Sequence, residues 1–425
     1  MNAAEPTALA EPRPALPARL RESWIVRRWL LARALTVFLL VPQVFEVLGD
    51  VRYYFHGVDR LFGAGTLGDT LPEYPAPSLV VFGLPRALVG DHMWIYVPAF
   101  MALVLTVDAA FTRWLWRAAG RRPATGLTLW LWLLPALGPL TLCRLDLVAA
   151  ALAGGALLAM ARRPALAGVL AGAGAAVKLW PAALVPSLWL HPAPGRRGGR
   201  WRMLAAFGVT GLVTCAAVVA LAGTDRLASP LTWQSDRSLQ LESYAALPLL
   251  VAGVFSPGTW HVDYTRFLAF EIVGPGVPVL LTAASVAMLL AAAVLAVLWL
   301  RAARRRDVSP AAVGWLATAT VALVVVTDKT LSPQYLLWIG ALLAAMGVGG
   351  GAESGTADEA LPRATRLMLA TALLTQLFYP TMYGLLIDIN PVAVAVIVAR
   401  DVVLGMLTWL ALSRFWALTS AGRSG

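Results

Sequence analysis

Ionisable and amide groups stand out in this chain because most of what surrounds them is apolar. They are Asp50, the pair Arg144/Asp146, Lys178, the set Asp236/Arg237/Glu242, the pair Lys329/Gln334, and Asp388. Each falls where an apolar run gives way to polar sequence. An ionisable group at the rim of a membrane is costly, so it is a functional candidate by default. Asp50 sits in Phe45-Glu46-Val47-Leu48-Gly49-Asp50-Val51-Arg52-Tyr53-Tyr54, where the first long apolar run ends. A carboxylate there can meet a lipid-borne molecule and still reach water, which suits a general base taking a proton from a hydroxyl. The plain alternative is a solvated acid just past a helix end. Asp59, nine residues on, is the reserve candidate or an orienting partner.

The other groups each have a chemical and a structural reading. Asp146 opens a predicted helix, where capping alone would explain it. Arg144 opposes the helix dipole at the same place and needs an anion: Asp146, Asp50 or a phosphate. Lys178, in Ala175-Ala176-Val177-Lys178-Leu179-Trp180-Pro181, either snorkels to an interface or binds a phosphate. Trp180 and Trp233 can stack on a sugar ring or simply belong to an interfacial belt. The amides and phenols of Gln240, Gln334 and Tyr335, with Tyr53, Tyr54, Asp146 and Glu242, suit sugar or acceptor hydroxyls; capping and loop packing are their ordinary roles. The four histidines, at 56, 92, 191 and 261, lack metal-ligand spacing. Neither a phosphate-binding glycine loop nor a dinucleotide fingerprint is present. The sequence thus implies neither metal nor cofactor, and an activated donor would have to come from the lipid phase.

Those groups must be positioned by membrane helices. Of 425 residues, 59% are hydrophobic and 13% charged, with a mean hydropathy of +0.72; a soluble domain carries about 25% charged residues. Apolar runs of roughly 20 residues recur throughout. The net charge of +11 does not indicate nucleic acid, because most of the 34 Lys and Arg fall in alternate connections. These are the N-terminal tail, 113–122, 162–163, 196–202, 301–306, 363–366 and the C-terminal tail. Most of the acids fall in the intervening segments. That bias marks the basic side as cytoplasmic. Cys143 and Cys215 imply no disulfide framework.

Taken in order, the pattern predicts a disordered cytoplasmic tail over 1–22, a helical membrane domain over 23–414 and a second tail over 415–425. Helices are expected at about 24–45, 93–115, 124–140, 145–161, 203–222, 276–300, 309–326, from 335 to 349, 366–386 and 391–413. A long first outer segment spans 46–92, with a short interfacial helix at 78–89. The stretch between Arg163 and the 196–202 cluster is basic at both ends, so a single crossing would misplace one end. A re-entrant pair breaking near Lys178-Leu179-Trp180-Pro181 satisfies both. A second large outer segment covers 224–274, and a cytoplasmic loop covers 349–362. The fold class is therefore an all-α polytopic bundle of about 11–12 transmembrane helices.

An early Asp in the first outer segment is followed by Arg144-Leu145-Asp146, Lys178-Leu179-Trp180-Pro181, Arg237-Ser238-Leu239-Gln240-Leu241-Glu242-Ser243 and Leu331-Ser332-Pro333-Gln334-Tyr335-Leu336-Leu337-Trp338. In that order they resemble glycosyltransferase family 87, a GT-C family, over about 24–412. Actinobacterial members of that family include mannosyltransferases that use polyprenol-phosphate-mannose, and the Ala/Arg/Val/Gly-heavy composition fits such a source. The resemblance implies a GT-C-like bundle and a hexosyltransferase of the EC 2.4.1 class in the plasma membrane. The donor would be a polyprenyl-phosphate sugar and the acceptor a lipid or glycolipid, joined with inversion on the extracytoplasmic side of the membrane lipids. Asp50 would be the base, and Arg144, Lys178, Arg237 or Lys329 would offset the leaving phosphate. The sequence departs from the family at Tyr74-Pro75-Ala76-Pro77, where Tyr-Pro-Pro is expected. A lipid-linked-sugar flippase or transporter is the alternative, since broken helices with rim charges also occur there. Its site would lie near the midplane, whereas these charges gather at one face.

Overall fold

A computed structural model describes residues 18–192, 198–305, 308–349 and 358–420. The first 17 residues of the expected N-terminal tail, Arg196 and Arg197, Arg306, most of the 349–362 loop and the end of the C-terminal tail lie outside the described residues. The described chain is almost wholly helical. Six stretches are long and apolar enough to cross a membrane: Glu22–Val47, Met93–Ala118, Gly199–Ser235, Val277–Ala303, Pro310–Thr327 and Pro391–Leu418. Six shorter apolar helices pack among them.

Helix α1 (Ala18–Phe38) passes through a 3-10 turn at Val41–Gln43 and the single turn α2 (Val44–Val47) into α3 (Gly49–Phe62). Helix α3 replaces what the sequence was expected to leave as loop. Its formation follows from Val51, Tyr54, Phe55 and Val58, which repeat at helical spacing and are all buried. The short helix expected at 78–89 forms as α4 (Leu79–Val89), and α5 (Met93–Ala118) runs to the opposite end of the bundle. Return and descent follow as α6 (Thr125–Leu137) and α7 (Asp146–Met160).

Helix α8 (Pro164–Val177) stops at Lys178, and a 3-10 turn at Trp180–Leu184 leads into α9 (Val185–Trp189). The next helix, α10 (Gly199–Ser235), lies along α8. A Cβ on Gly168 would stand 2.0 Å from the Met203 carbonyl oxygen, and one on Gly172 would stand 2.9 Å from Thr210. Contacts that advance together in both helices mean parallel directions, so the described residues after Lys178, up to 192, run back toward the end where α8 began. Trp189 against Trp201, with ring centroids 4.4 Å apart, closes that return. The re-entrant pair expected from the basic flanks is present, with its break at Lys178 and Trp180.

Helix α10 kinks at Gly223, whose φ of 80° is left-handed, and continues to Ser235, beyond the expected end near 222. The segment beyond it holds α11 (Leu247–Phe255) and an unforeseen two-stranded antiparallel ribbon, β1 (His261–Tyr264) with β2 (Phe270–Val273). Then come α12 (Val277–Ala303), α13 (Pro310–Thr327), α14 (Leu336–Gly349) and α15 (Ala360–Gln376). The expected helix at 366–386 is in fact interrupted over Leu377–Thr381, where Pro380 lacks a backbone N–H, and resumes as α16 (Tyr383–Ile387). Helix α17 (Pro391–Leu418) closes the bundle.

Helices α6, α7, α13 and α14 form the buried centre. Their backbones approach closely where glycine allows it: a Cβ on Gly126 would stand 2.2 Å from the Ala344 carbonyl oxygen. Asp108 lies within α5 and is fully buried. It accepts from Arg33 through both oxygens at 2.7 Å, from Trp29 at 2.6 Å and from Trp130 at 2.9 Å. That network joins α1, α5 and α6 and satisfies a charge placed inside a membrane-length helix. Helices α10 and α12, by contrast, leave most of their apolar surface uncovered, as lipid-facing helices do.

Candidate functional site

The site-bearing segments converge at one end of the bundle. Asp50 occupies the first turn of α3. Arg144 follows a 3-10 turn at Pro139–Leu142 and reaches that carboxylate in a direct ion pair through Asp50 Oδ2. The arginine side chain is 9% exposed and the aspartate 30%, so the anion is held from the protein side while keeping the access that a base requires. Arg144 Nη2 also donates to the Tyr379 hydroxyl at 3.3 Å. Of the two carboxylates open to Arg144 in the sequence, Asp50 is the one it pairs with.

Asp146 instead engages Lys178. Its Oδ1 accepts from Lys178 Nζ at 2.6 Å and from Trp338 Nε1 at 2.8 Å. The carboxylate makes no capping hydrogen bond. Lys178 Nζ also lies 4.7 Å from the centre of the Tyr335 ring and 4.9 Å from that of Trp338. Trp338 is stacked between Tyr335 and Trp180, at 3.9 and 4.9 Å. Five side chains from α7, α14 and the turns after α8 and α13 thereby form one aromatic and ionic block.

A third group lies where α10 ends. Arg237 Nη2 donates to Gln240 Oε1 at 2.9 Å, Gln240 Nε2 to Ser332 Oγ at 3.1 Å, and Glu271 stands 3.7 Å from Arg237 Nε. Lys329 Nζ donates to the carbonyls of Ser235 and Arg237, at 2.9 and 2.6 Å. Burial pushes the Lys329 pKa down from the usual lysine value. Ser235, Asp236, Arg237, Thr282, Ser285 and Lys329 line a cleft of about 360 Å³ between the ends of α10 and α12, with the Asp236 carboxylate paired to Arg266 at 3.4 Å.

Glu242 is buried, accepts from the Tyr383 hydroxyl at 2.6 Å and has its pKa raised by burial. Arg400 donates to the Glu242 carbonyl at 2.7 Å and pairs with Asp401 at 2.6 Å, anchoring this segment to α17. The remaining candidates are more scattered. Asp59 lies on the α4 side of α3, in an ion pair with Arg86 at 2.8 Å, nine residues and so roughly 13 Å along the axis from Asp50. Tyr53 is partly exposed; Tyr54 is 1% exposed, stacked on Phe82 with its hydroxyl 3.1 Å from that of Tyr74. Gln334 is partly exposed in the turn at Pro333–Tyr335, and Asp388 remains exposed outside these clusters.

Tyr379, Tyr383, Glu271, Glu73 and Arg226 were not singled out by the sequence reading. Two phenols four residues apart astride Pro380 in an apolar run were a usable signal for the first pair. Arg226 gave none: it is 2% exposed, and its guanidinium donates to the carbonyls of Leu67, Thr70, Leu71 and Tyr74 and to Ser229 Oγ. It straps the segment between α3 and α4 onto the lower half of α10.

A polytopic helical membrane protein with a carboxylate, several cations and a wall of aromatic rings gathered at one end has the parts of a membrane-embedded transferase. The comparison with known families sharpens this: the model of glycosyltransferase family 87 matches residues 73–327, well over half of the chain, and the chain belongs to that family. It is a glycosyltransferase and acts on a sugar donor and an acceptor. The matched region takes in Arg144, Asp146, Lys178, Arg237 and Glu242; Asp50 precedes it and Lys329 follows it. No curated protein and no solved structure matches the chain.

Proposed function

We propose that this enzyme transfers a hexosyl group, mannosyl by resemblance, from a polyprenyl-phosphate sugar to a lipid or glycolipid acceptor with inversion, and that Asp50 is its general base. The Asp50–Arg144 pair is the observation that carries the reading. A partly exposed carboxylate is fixed at a helix start by a buried guanidinium, which is in turn held by Tyr379. In the step it supports, the acceptor oxygen attacks the anomeric carbon opposite the phosphate and Asp50 takes its proton. The sugar–phosphate C–O bond breaks, and polyprenyl phosphate leaves with the electron pair.

Arg237 and Lys329 are the cations best suited to the leaving phosphate. Arg144 and Lys178 are each in close contact with a carboxylate, whereas Lys329 meets only carbonyls and Arg237 has Glu271 no nearer than 3.7 Å. Their cleft opens between α10 and α12, whose uncovered apolar faces would lie along a polyprenyl chain. The basic connections described here lie at the end opposite Asp50. The positive-inside rule supports a cytoplasmic position for that end and, with it, a reaction on the extracytoplasmic face of the plasma membrane.

The test is transfer of radiolabelled mannose from polyprenyl-phosphate-mannose to endogenous lipids, in membranes holding wild type or Asp50→Ala at equal levels. Labelled lipid formed by the wild type and lost in the variant is expected. Product from both would remove Asp50 from the role of base. Product from neither would reject the mannosyl donor, and other polyprenyl-phosphate sugars would be run in the same format.

A further inference from the structure

Glu73 lies in the polar segment between α3 and α4, with both carboxyl oxygens shielded from solvent and no closely aligned hydrogen bond to either; the Tyr53 hydroxyl and the residue's own backbone amide are the hydrogen-bonding groups that act on it. Such a group is costly, and buried polar atoms are nearly always paired. The cation acting on it, Arg226, has its guanidinium committed to four carbonyls and Ser229. The other groups facing Glu73 are phenols: Tyr53 and Tyr54 from α3, and the adjacent Tyr74. Tyr54 and Tyr74 are engaged with each other at 3.1 Å, which leaves Tyr53. Tyr264 of β1 and Arg60 act on Tyr53 from other sides. Tyr53 stands three residues from Asp50, so both project from one face of α3.

We propose that Glu73 is a positioning residue that holds the Tyr53 hydroxyl and so fixes the phenol ring beside Asp50 as one wall of the subsite taking the hydroxyl-bearing acceptor. This rests on Asp50 being the base. Burial raises the Glu73 pKa above the ordinary glutamate value, favouring the neutral acid. A neutral carboxyl accepts from the phenol through its carbonyl oxygen without leaving an uncompensated charge in the segment. A neutral amide of the same shape does the same, and a methyl group does not.

The experiment uses purified full-length protein in lipid nanodiscs, comparing wild type, Glu73→Gln, Glu73→Ala, Tyr53→Phe and the Glu73→Ala/Tyr53→Phe double variant. Glu73→Ala and Tyr53→Phe are expected to raise the acceptor KM about tenfold with kcat changed less than about threefold, and the double variant to be no worse than either. Glu73→Gln should stay within about threefold of wild type in both constants. A glutamine variant as impaired as alanine, or a double variant showing the product of the two single effects, overturns the proposal.

Thermal unfolding gives a readout that needs no substrate. A carboxyl whose pKa is raised on folding binds its proton more tightly in the native state, so stability falls as pH rises from the ordinary glutamate value toward the raised one. Wild type should show that fall, Glu73→Gln a smaller one because the contribution of Glu242 is left, and Tyr53→Phe should change its size. Parallel profiles for wild type and Glu73→Gln overturn the proposal. If the unfolding contrast holds while no lipid-linked sugar is transferred, the failure belongs to the assigned reaction.

Discussion

At the scale of single residues, the site combines a partly exposed carboxylate, Asp50, with four cations held in different ways. Asp50→Asn keeps the shape and removes the proposed base, so kcat should fall by about 10²–10⁴ with donor affinity little changed, as read by steady-state transfer. Arg144→Gln leaves Asp50 in place but without its buried anchor, and should lower kcat by about ten- to a hundredfold. Lys329 offers a pH test. Its lowered pKa means that it loses charge earlier than an ordinary lysine as pH rises, so donor KM should climb with pH in the wild type. Lys329→Arg stays charged throughout and should flatten that climb; an unchanged profile would remove Lys329 from the phosphate site.

Whole elements set the depth and angle of those residues. Helix α8 must stop where Lys178 can meet Asp146, and the break at Trp180 and Pro181 achieves that. The interruption at Leu377–Thr381 does the same for Tyr379 and Tyr383. Close helix packing holds the frame: at Gly126 any side chain would drive a carbon to 2.2 Å from the Ala344 carbonyl oxygen on α14. Gly126→Val should therefore part α6 from α14 and destabilise the protein by about 1–3 kcal/mol, measured as a lowered unfolding temperature in detergent.

Across the molecule, two buried arginines join elements that are far apart in sequence. Arg33 with Asp108 fastens α1 to α5 and α6 at membrane depth. Asp108→Ala leaves the guanidinium buried and unpaired, and should cost about 3–5 kcal/mol, visible as loss of folded protein by size-exclusion fluorescence. Arg226 fastens the segment between α3 and α4 to α10. The all-α membrane class, the polar end and the re-entrant pair were legible in the sequence itself, because hydropathy and basic flanks are local quantities; of the expected 11–12 spanning helices, six among the described residues are long and apolar enough to cross a membrane. The partner of each charge was not. That Arg144 meets Asp50 across 94 residues, that Asp146 meets Lys178, and that Arg226 binds a segment more than 150 residues away depends on which helices lie side by side. Helix packing in a bundle is fixed by shape and small-residue contacts distributed over the whole chain, and no local run of sequence contains it.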